Sequence, residues 1–256
     1  MRIAVFQATS AVGRIDANLD ALASAAAEAA DGGADILVTP ELFPTGYAPD
    51  RIHHLDGATV RQAVSTTAER SGIAVVASTV EQSDSGRFIT ATLFGADGTQ
   101  VLHYRKSHLF GTEEAQFFTA GSALSSVVRF GDLSVALGIC YDVEFPEYVR
   151  ALAVAGADLM LVPTAVPARV SSTFDSAAVP GLIVPARALE NTVAIAYANQ
   201  CGTGFAGRSC IVAPDGSFAA RAENEPTLIF ADITSETIRG ARADNPYLRS
   251  RRLDLY

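Results

Sequence analysis

Three polar side chains stand directly after apolar runs in this chain, and together they could carry acyl transfer. Glu41 follows the run in Ile-Leu-Val-Thr-Pro-Glu-Leu-Phe-Pro-Thr-Gly-Tyr. Lys106 follows that in Val-Leu-His-Tyr-Arg-Lys-Ser-His-Leu-Phe, and Cys140 that in Ser-Val-Ala-Leu-Gly-Ile-Cys-Tyr-Asp-Val-Glu-Phe-Pro-Glu. Open αβ sheets place functional groups at such strand ends. A cysteine nucleophile attacks as the thiolate, so it needs a base and an electropositive setting. A carboxylate can take the thiol proton when burial raises its pKa towards neutrality. An ammonium can hold that carboxylate and stabilise a developing oxyanion. Each residue alone also has a plainer reading. The acid can open a solvated loop, the lone cysteine can be a small core residue, and the lysine can point into water.

The basic residues single out Lys106. Of 19 Lys and Arg, 18 are Arg and this one is Lys. Most solvated lysines can become arginine without harm. A compact, tunable ammonium cannot be replaced by a planar, permanently charged guanidinium. Lysine-directed reagents are therefore expected to reach only Lys106 and the N-terminal amine.

The elements that would position these residues follow from periodicity. Residues 3–7 read as a strand. An Ala-rich helix follows, capped by Asp16 or Asn18 and ended by Gly32-Gly33, and residues 36–38 form a buried strand. A helix over 59–70 stops at Gly72. Strands over 73–79, 87–94 and 100–104 follow, the last two flanking the Asp97-Gly98 hairpin signal. Strands over 127–130 and 133–139 flank Gly131-Asp132. A helix over 146–155, a strand over 159–162, a helix over 183–191 and a strand over 193–198 come next. Residues 209–213, the Asp215-Gly216 turn and residues 228–231 complete the sheet material.

An internal repeat orders these pieces. Gly33-Ala34-Asp35-Ile36-Leu37-Val38-Thr39-Pro40 matches Gly156-Ala157-Asp158-Leu159-Met160-Leu161-Val162-Pro163, displaced by 123 positions. Ala96-Asp97-Gly98 matches Pro214-Asp215-Gly216 at a displacement of 118. Two similar αβ halves, each a sheet with helices on one face, bury their inner faces most economically as an α/β four-layer α-β-β-α sandwich. No linker separates the halves. Residues 1–256 are read as a single domain, with 245–256 an Arg-rich C-terminal tail.

Composition excludes other classes. Hydrophobic residues make up 49% of the 256 and charged ones 18%, which rules out a disordered chain. A net charge of −9 argues against nucleic acid and anionic membrane partners. No apolar run approaches the ~18–20 residues of a membrane span, and MRIAVFQATS reads as a strand rather than a signal peptide. Three cysteines are too few and odd in number for a disulfide framework. A reduced cytoplasmic protein is expected.

The three segments, in this order, resemble the Glu, Lys and Cys signatures of the nitrilase superfamily of carbon–nitrogen hydrolases, and the likeness covers nearly the whole chain. It implies Glu41 as general base, Lys106 as oxyanion-stabilising cation and Cys140 as nucleophile on the α-β-β-α fold. Gly111-Thr112-Glu113-Glu114-Ala115-Gln116-Phe117-Phe118 resembles the region of the family's second glutamate, which assigns that place to Glu114, with Glu113 its rival. Tyr141-Asp142 follows Cys140 where nitrilases proper carry Trp-Glu, so the likeness is to the amidase branch, the small aliphatic or R-selective amidases. Tyr47, Tyr141, Thr164 and Ala165 resemble substrate-binding positions. The implied reaction is hydrolysis of a small amide to acid and ammonia through a cysteine thioester, with no metal or cofactor. A homodimer is implied too, with residues 249–256 crossing between subunits. A nitrilase or an N-carbamoyl amidohydrolase is the alternative within the family.

Three competing readings stay open. A Cys–His hydrolase could use His103 or His108, although strand alternation points His103 away from Lys106. The adjacent His53-His54 pair lacks the spacing of helical metal ligands. A non-catalytic interaction protein could keep the same fold.

Overall fold

The computed structural model describes residues 1–255, so the end of the predicted tail, Tyr256, lies outside the described residues. In chain order the first half gives strand β1 (Arg2–Gln7), helix α1 (Ile15–Asp31), β2 (Ile36–Val38), the short α2 (Pro49–Ile52) and α3 (Gly57–Ser71). It continues with β3 (Ala74–Ser83), β4 (Gly86–Phe94), β5 (Gln100–Arg105) and α4 (Gly111–Phe117). The second half gives β6 (Val128–Phe130), β7 (Leu133–Leu137), a 3₁₀ turn at Cys140–Glu144, α5 (Pro146–Val154) and β8 (Leu159–Thr164). A π-helical turn at Val179–Ile183 leads into α6 (Val184–Asn191), then β9 (Ala194–Asn199), β10 (Cys210–Val212) and β11 (Phe218–Arg221). β12 (Thr227–Asp232) returns to the first half, and α7 (Ser235–Asp244) follows it.

Two six-stranded sheets result, ordered β12-β1-β2-β3-β4-β5 and β11-β10-β9-β8-β7-β6. The predicted repeat is visible in their register. Ile36 pairs in parallel with Ile3 and Ala74, and Leu159, displaced by 123, pairs in parallel with Val135 and Ala194. The Gly-Ala-Asp motif makes this pairing reproducible. The Asp35 carboxylate accepts from Arg2 N at 2.7 Å, and Asp158 accepts from Ser134 N at 2.9 Å, so each aspartate pins the start of the neighbouring strand.

The inner faces pack on one another through Ile3, Val5, Val38 and Val76 against Val135, Leu137, Leu161 and Ala196, all buried. Outside the first sheet lies α1, whose Leu22, Ala25, Ala26 and Ala29 recur at helical spacing and meet Val64 and Ala68 of α3. α5 and α6 cover the second sheet with Val149, Leu152, Val184 and Ala188. The four-layer sandwich expected from the repeat is the observed fold. No helix among the described residues is long and apolar enough to cross a membrane.

Several local expectations change. Arg14, not Asp16 or Asn18, occupies the α1 N-cap, and no side chain caps it. Asn18 instead turns inward, donating to the carbonyls of Ala11 and Pro44 and accepting from Ala11 N, and so ties the β1–α1 loop to the loop after β2. The helix predicted over 59–70 begins at Gly57, because Asp56 accepts from the N–H groups of Ala58 and Thr59 as its N-cap. α2, α4, α7 and β11 lie where the apolar pattern assigns no element.

Candidate active site

Glu41 sits on a rigid shelf. Its N–H donates to Thr164 O at 3.1 Å, and Gln200 Nε2 donates to its carbonyl at 3.0 Å, so residues of the opposite sheet grip it from both sides. Nearby, Gly46 (φ +78°) packs so tightly that a Cβ would lie 2.5 Å from Val12 Cα, which excludes any other residue there. Lys106 continues β5, with its N–H on Ile89 O at 2.8 Å and its carbonyl accepting from Gly121 N at 2.7 Å. Glu114 lies in the first turn of α4, where its Oε2 accepts from Phe110 N at 2.7 Å.

Cys140 begins the 3₁₀ turn with φ +45°, in the left-handed region that a non-glycine residue enters only when its surroundings enforce it. Asp142 does the enforcing. Fully buried, it accepts from Ile139 N at 3.0 Å and Tyr104 Oη at 2.9 Å through Oδ2. Its Oδ1 accepts from His108 N at 3.0 Å and contacts His108 Nδ1 at 2.8 Å. Asp142 thus locks the elbow that presents the thiol. Sequence reasoning placed it only as a neighbour of the cysteine, because its partners come from β5 and the following loop. An Asp142→Ala variant would orphan buried donors, each costing about 1–3 kcal/mol. We expect it to lose about 3 kcal/mol in urea unfolding; an unchanged midpoint would remove Asp142 from this role.

The three charged side chains meet in the interior. Lys106 Nζ donates to Glu41 Oε1 at 2.7 Å and to Glu114 Oε1 at 2.8 Å, and all three side chains have zero exposure. Tyr47 Oη donates to Glu114 Oε1 at 2.6 Å. Glu114, not the exposed Glu113, is therefore the second carboxylate beside the lysine. Glu41 Oε2 is buried with no nitrogen- or oxygen-borne donor beside it, and the Cys140 thiol hydrogen-bonds this carboxyl. Thr164 and the backbone of Ala165 contact the thiol from the other side.

Burial sets the protonation states. It pushes the Glu41 carboxyl up to about 7, with the Lys106 charge opposing and that of Glu114 adding. Burial, then the negative charge of Glu41, push the Cys140 thiol well above its ordinary range, against the pull of Lys106. For Lys106 burial favours the neutral amine, but Glu41 and Glu114 outweigh it and hold the ammonium more firmly than in water. The resting site thus pairs a neutral thiol with a carboxyl near its midpoint. This state also corrects the expectation about lysine reagents. A fully buried, firmly protonated Lys106 offers no free amine, leaving only the Met1 amine accessible to them.

A cavity of about 310 Å³ opens above Cys140, walled by Phe110, Tyr141, Val166, Pro167 and Phe174, with Glu144 also lining it. Tyr141 is the one predicted substrate-binding residue among these walls. Tyr47, Thr164 and Ala165 stand behind the charged set and the thiol. The histidines are engaged by other partners: His103 contacts Glu81 at 2.6 Å, His108 contacts Asp142 at 2.8 Å and stacks on Phe145, and His53 stacks on Phe117. Among the described residues no three His, Cys, Asp or Glu side chains gather as metal ligands.

The sandwich and the buried Glu-Lys-Glu set facing a cysteine define a class of enzyme, and residues 2–243 match the family model for carbon-nitrogen hydrolases. The chain belongs to that family. It is 36% identical to a protein described as the hydrolase in the pqqF 5' region of Pseudomonas protegens, over 100% of this chain and 90% of that one. It is 32% identical to the omega-amidase NIT2 of Xenopus tropicalis, over 93% and 91%. Among solved structures it resembles a glutamate-to-glutamine mutant of the amidase from Nesterenkonia sp. AN1, in which acrylamide has added to the active-site cysteine. That match has a TM-score of 0.89 at 37% identity, covering 100% of this chain and 98% of the other. A cysteine-to-alanine mutant of the same amidase in complex with butyramide matches equally, covering 100% and 95%.

Proposed function

We propose that the protein is an amidase that hydrolyses small carboxylic acid amides to acid and ammonia, with Cys140 as nucleophile. The observation that carries the reading is the buried chain Glu41–Lys106–Glu114 set against the thiol at the floor of a small, largely apolar cavity. The butyramide bound by the Nesterenkonia amidase supports the substrate class.

The geometry supports a double displacement. Glu41 takes the Cys140 proton as sulfur attacks the amide carbon. The oxyanion forms against the Lys106 ammonium and the Tyr141 N–H. Lys106 has three N–H bonds, of which two are committed to carboxylates, so one is left for substrate oxygen. Protonated Glu41 passes its proton to the amide nitrogen, and ammonia leaves behind a thioester. Water then attacks the thioester, giving a proton to Glu41. Collapse expels the sulfur, which regains that proton, and the acid departs. Glu114 holds Lys106 in place and is itself held by Tyr47 and Phe110 N.

The test is ammonia release from butyramide, with Cys140→Ala as control. Release that the control loses supports the reading; no release from amides, nitriles or carbamoyl compounds would return the protein to a non-catalytic role. A pH profile checks the base. Because Glu41 must be ionised to act, kcat/KM for butyramide should fall about tenfold per pH unit below about 7. The limb should persist in Glu144→Gln, since Glu144 is also raised to about 7 by burial. A flat profile through that range would contradict the assignment.

We read residues 1–256 as one domain with a C-terminal tail from residue 245; the return of β12 to the first sheet supports this. A cytoplasmic homodimer without nucleic acid partners completes the proposal. The exposed Val154 of α5, Leu182 of the π-helical turn and Leu189 of α6 support self-association, which light scattering can measure.

A further inference from the structure

The cavity above Cys140 contains one carboxylate that hydrolysis does not use. Glu144 ends the 3₁₀ turn that Cys140 begins, and it lines the same space. No described residue donates a hydrogen bond to its carboxylate. The two cations that act on it are committed elsewhere. Lys106 serves Glu41 and Glu114, and Arg187 gives Nη1 to Glu190 Oε1 at 3.1 Å and Nη2 to the Glu144 backbone carbonyl at 2.8 Å. The neighbouring walls are aromatic or aliphatic, with the Phe110 and Tyr141 rings edge to face at 5.3 Å.

An unpaired carboxylate against apolar walls is costly until a cation or strong donor joins it. Aromatic rings line the same cavity, and a ring face that meets a cation attracts it. A cavity of about 310 Å³ lies at the small end for ligand sites, which limits the acyl group to a few heavy atoms. We infer that Glu144 is a specificity-determining residue that pairs with a protonated amine on the acyl chain, so that short amino amides are preferred and amides bearing a carboxylate are rejected. Burial raises the Glu144 carboxyl to about 7, with Lys106 and Arg187 opposing. An ammonium in contact would offset that burial and keep the group ionised.

The inference rests on the amidase reading, and the experiment separates the two. At about pH 8, where an alkylamine stays protonated, kcat/KM is measured for 3-aminopropanamide, its isostere butyramide, and succinamate. The expected order is 3-aminopropanamide over butyramide by on the order of tenfold or more, with succinamate below both. In Glu144→Gln the ratio of 3-aminopropanamide to butyramide should fall towards one and the ratio of succinamate to butyramide should rise. Equal rates for the two isosteres in the wild type would overturn the inference while leaving the amidase standing. A preference that survives Glu144→Gln would overturn the role of Glu144. Hydrolysis of none of the three would overturn the amidase reading and this inference with it.

Discussion

Lys106→Arg should lower kcat for butyramide by roughly 10²–10³-fold although it preserves the positive charge, the loss associated with one oxyanion donor. The reason is geometric. Lys106 has no solvent exposure, and its single nitrogen serves two carboxylate oxygens at 2.7 and 2.8 Å while keeping a third N–H for substrate. A guanidinium is longer and planar, and its paired donors would clamp one carboxylate in a fork rather than bridge two from a point. Forcing it into a closed interior also costs about 1–3 kcal/mol in overpacking. Lys106→Met separates the roles of charge and shape. It leaves two buried carboxylates without their cation and should destabilise the protein by about 3–5 kcal/mol in urea unfolding. Near wild-type turnover by a folded Lys106→Arg protein would refute the oxyanion role.

Glu41→Gln should depress kcat/KM by roughly 10²–10⁴-fold, the typical contribution of a positioned base, while leaving the shape of the site nearly unchanged. It carries a second, opposite signature. The negative charge of Glu41 is a principal reason, after burial, that the Cys140 thiol stands well above its ordinary range. Removing that charge leaves Lys106 pulling the thiol down. Alkylation of Cys140 by iodoacetamide should therefore titrate at lower pH in the variant, even as hydrolysis collapses. If the alkylation midpoint stayed put or rose, Glu41 and Cys140 would not be electrostatically linked as described.

Much of this was legible in the chain itself, for identifiable reasons. β2 and β8 announce themselves because both faces are buried, giving apolar runs, and because the same Gly-Ala-Asp start pins each to its neighbour. Glu41, Lys106 and Cys140 stand out because each is a polar group just past a strand, after β2, β5 and β7 respectively, and family likeness supplies Glu114. What stayed hidden depends on contacts distant in sequence. Asp142 is satisfied by Tyr104 and His108, from another sheet and its loop. Gln200 reaches back 159 residues to the Glu41 carbonyl. Asn18 resembled a helix cap because capping and loop-bridging use the same side-chain amide. α7 buries only Ile238, too little to leave a periodic stripe.

The hydrogen bond from Glu41 N to Thr164 O joins two residues that occupy equivalent places in the repeat, one after Pro40 and the other after Pro163. The reaction centre therefore lies where the two halves face each other across their approximate symmetry axis. A chain with strictly identical halves would bring two glutamates together there, and like charges at that distance in a dry interior repel strongly. Only one half can keep the acid. The function of this fold thus depends on broken symmetry: the backbone is duplicated, but the base comes from one copy and the nucleophile from the other. Neither half holds a complete set, and the enzyme exists only in their apposition.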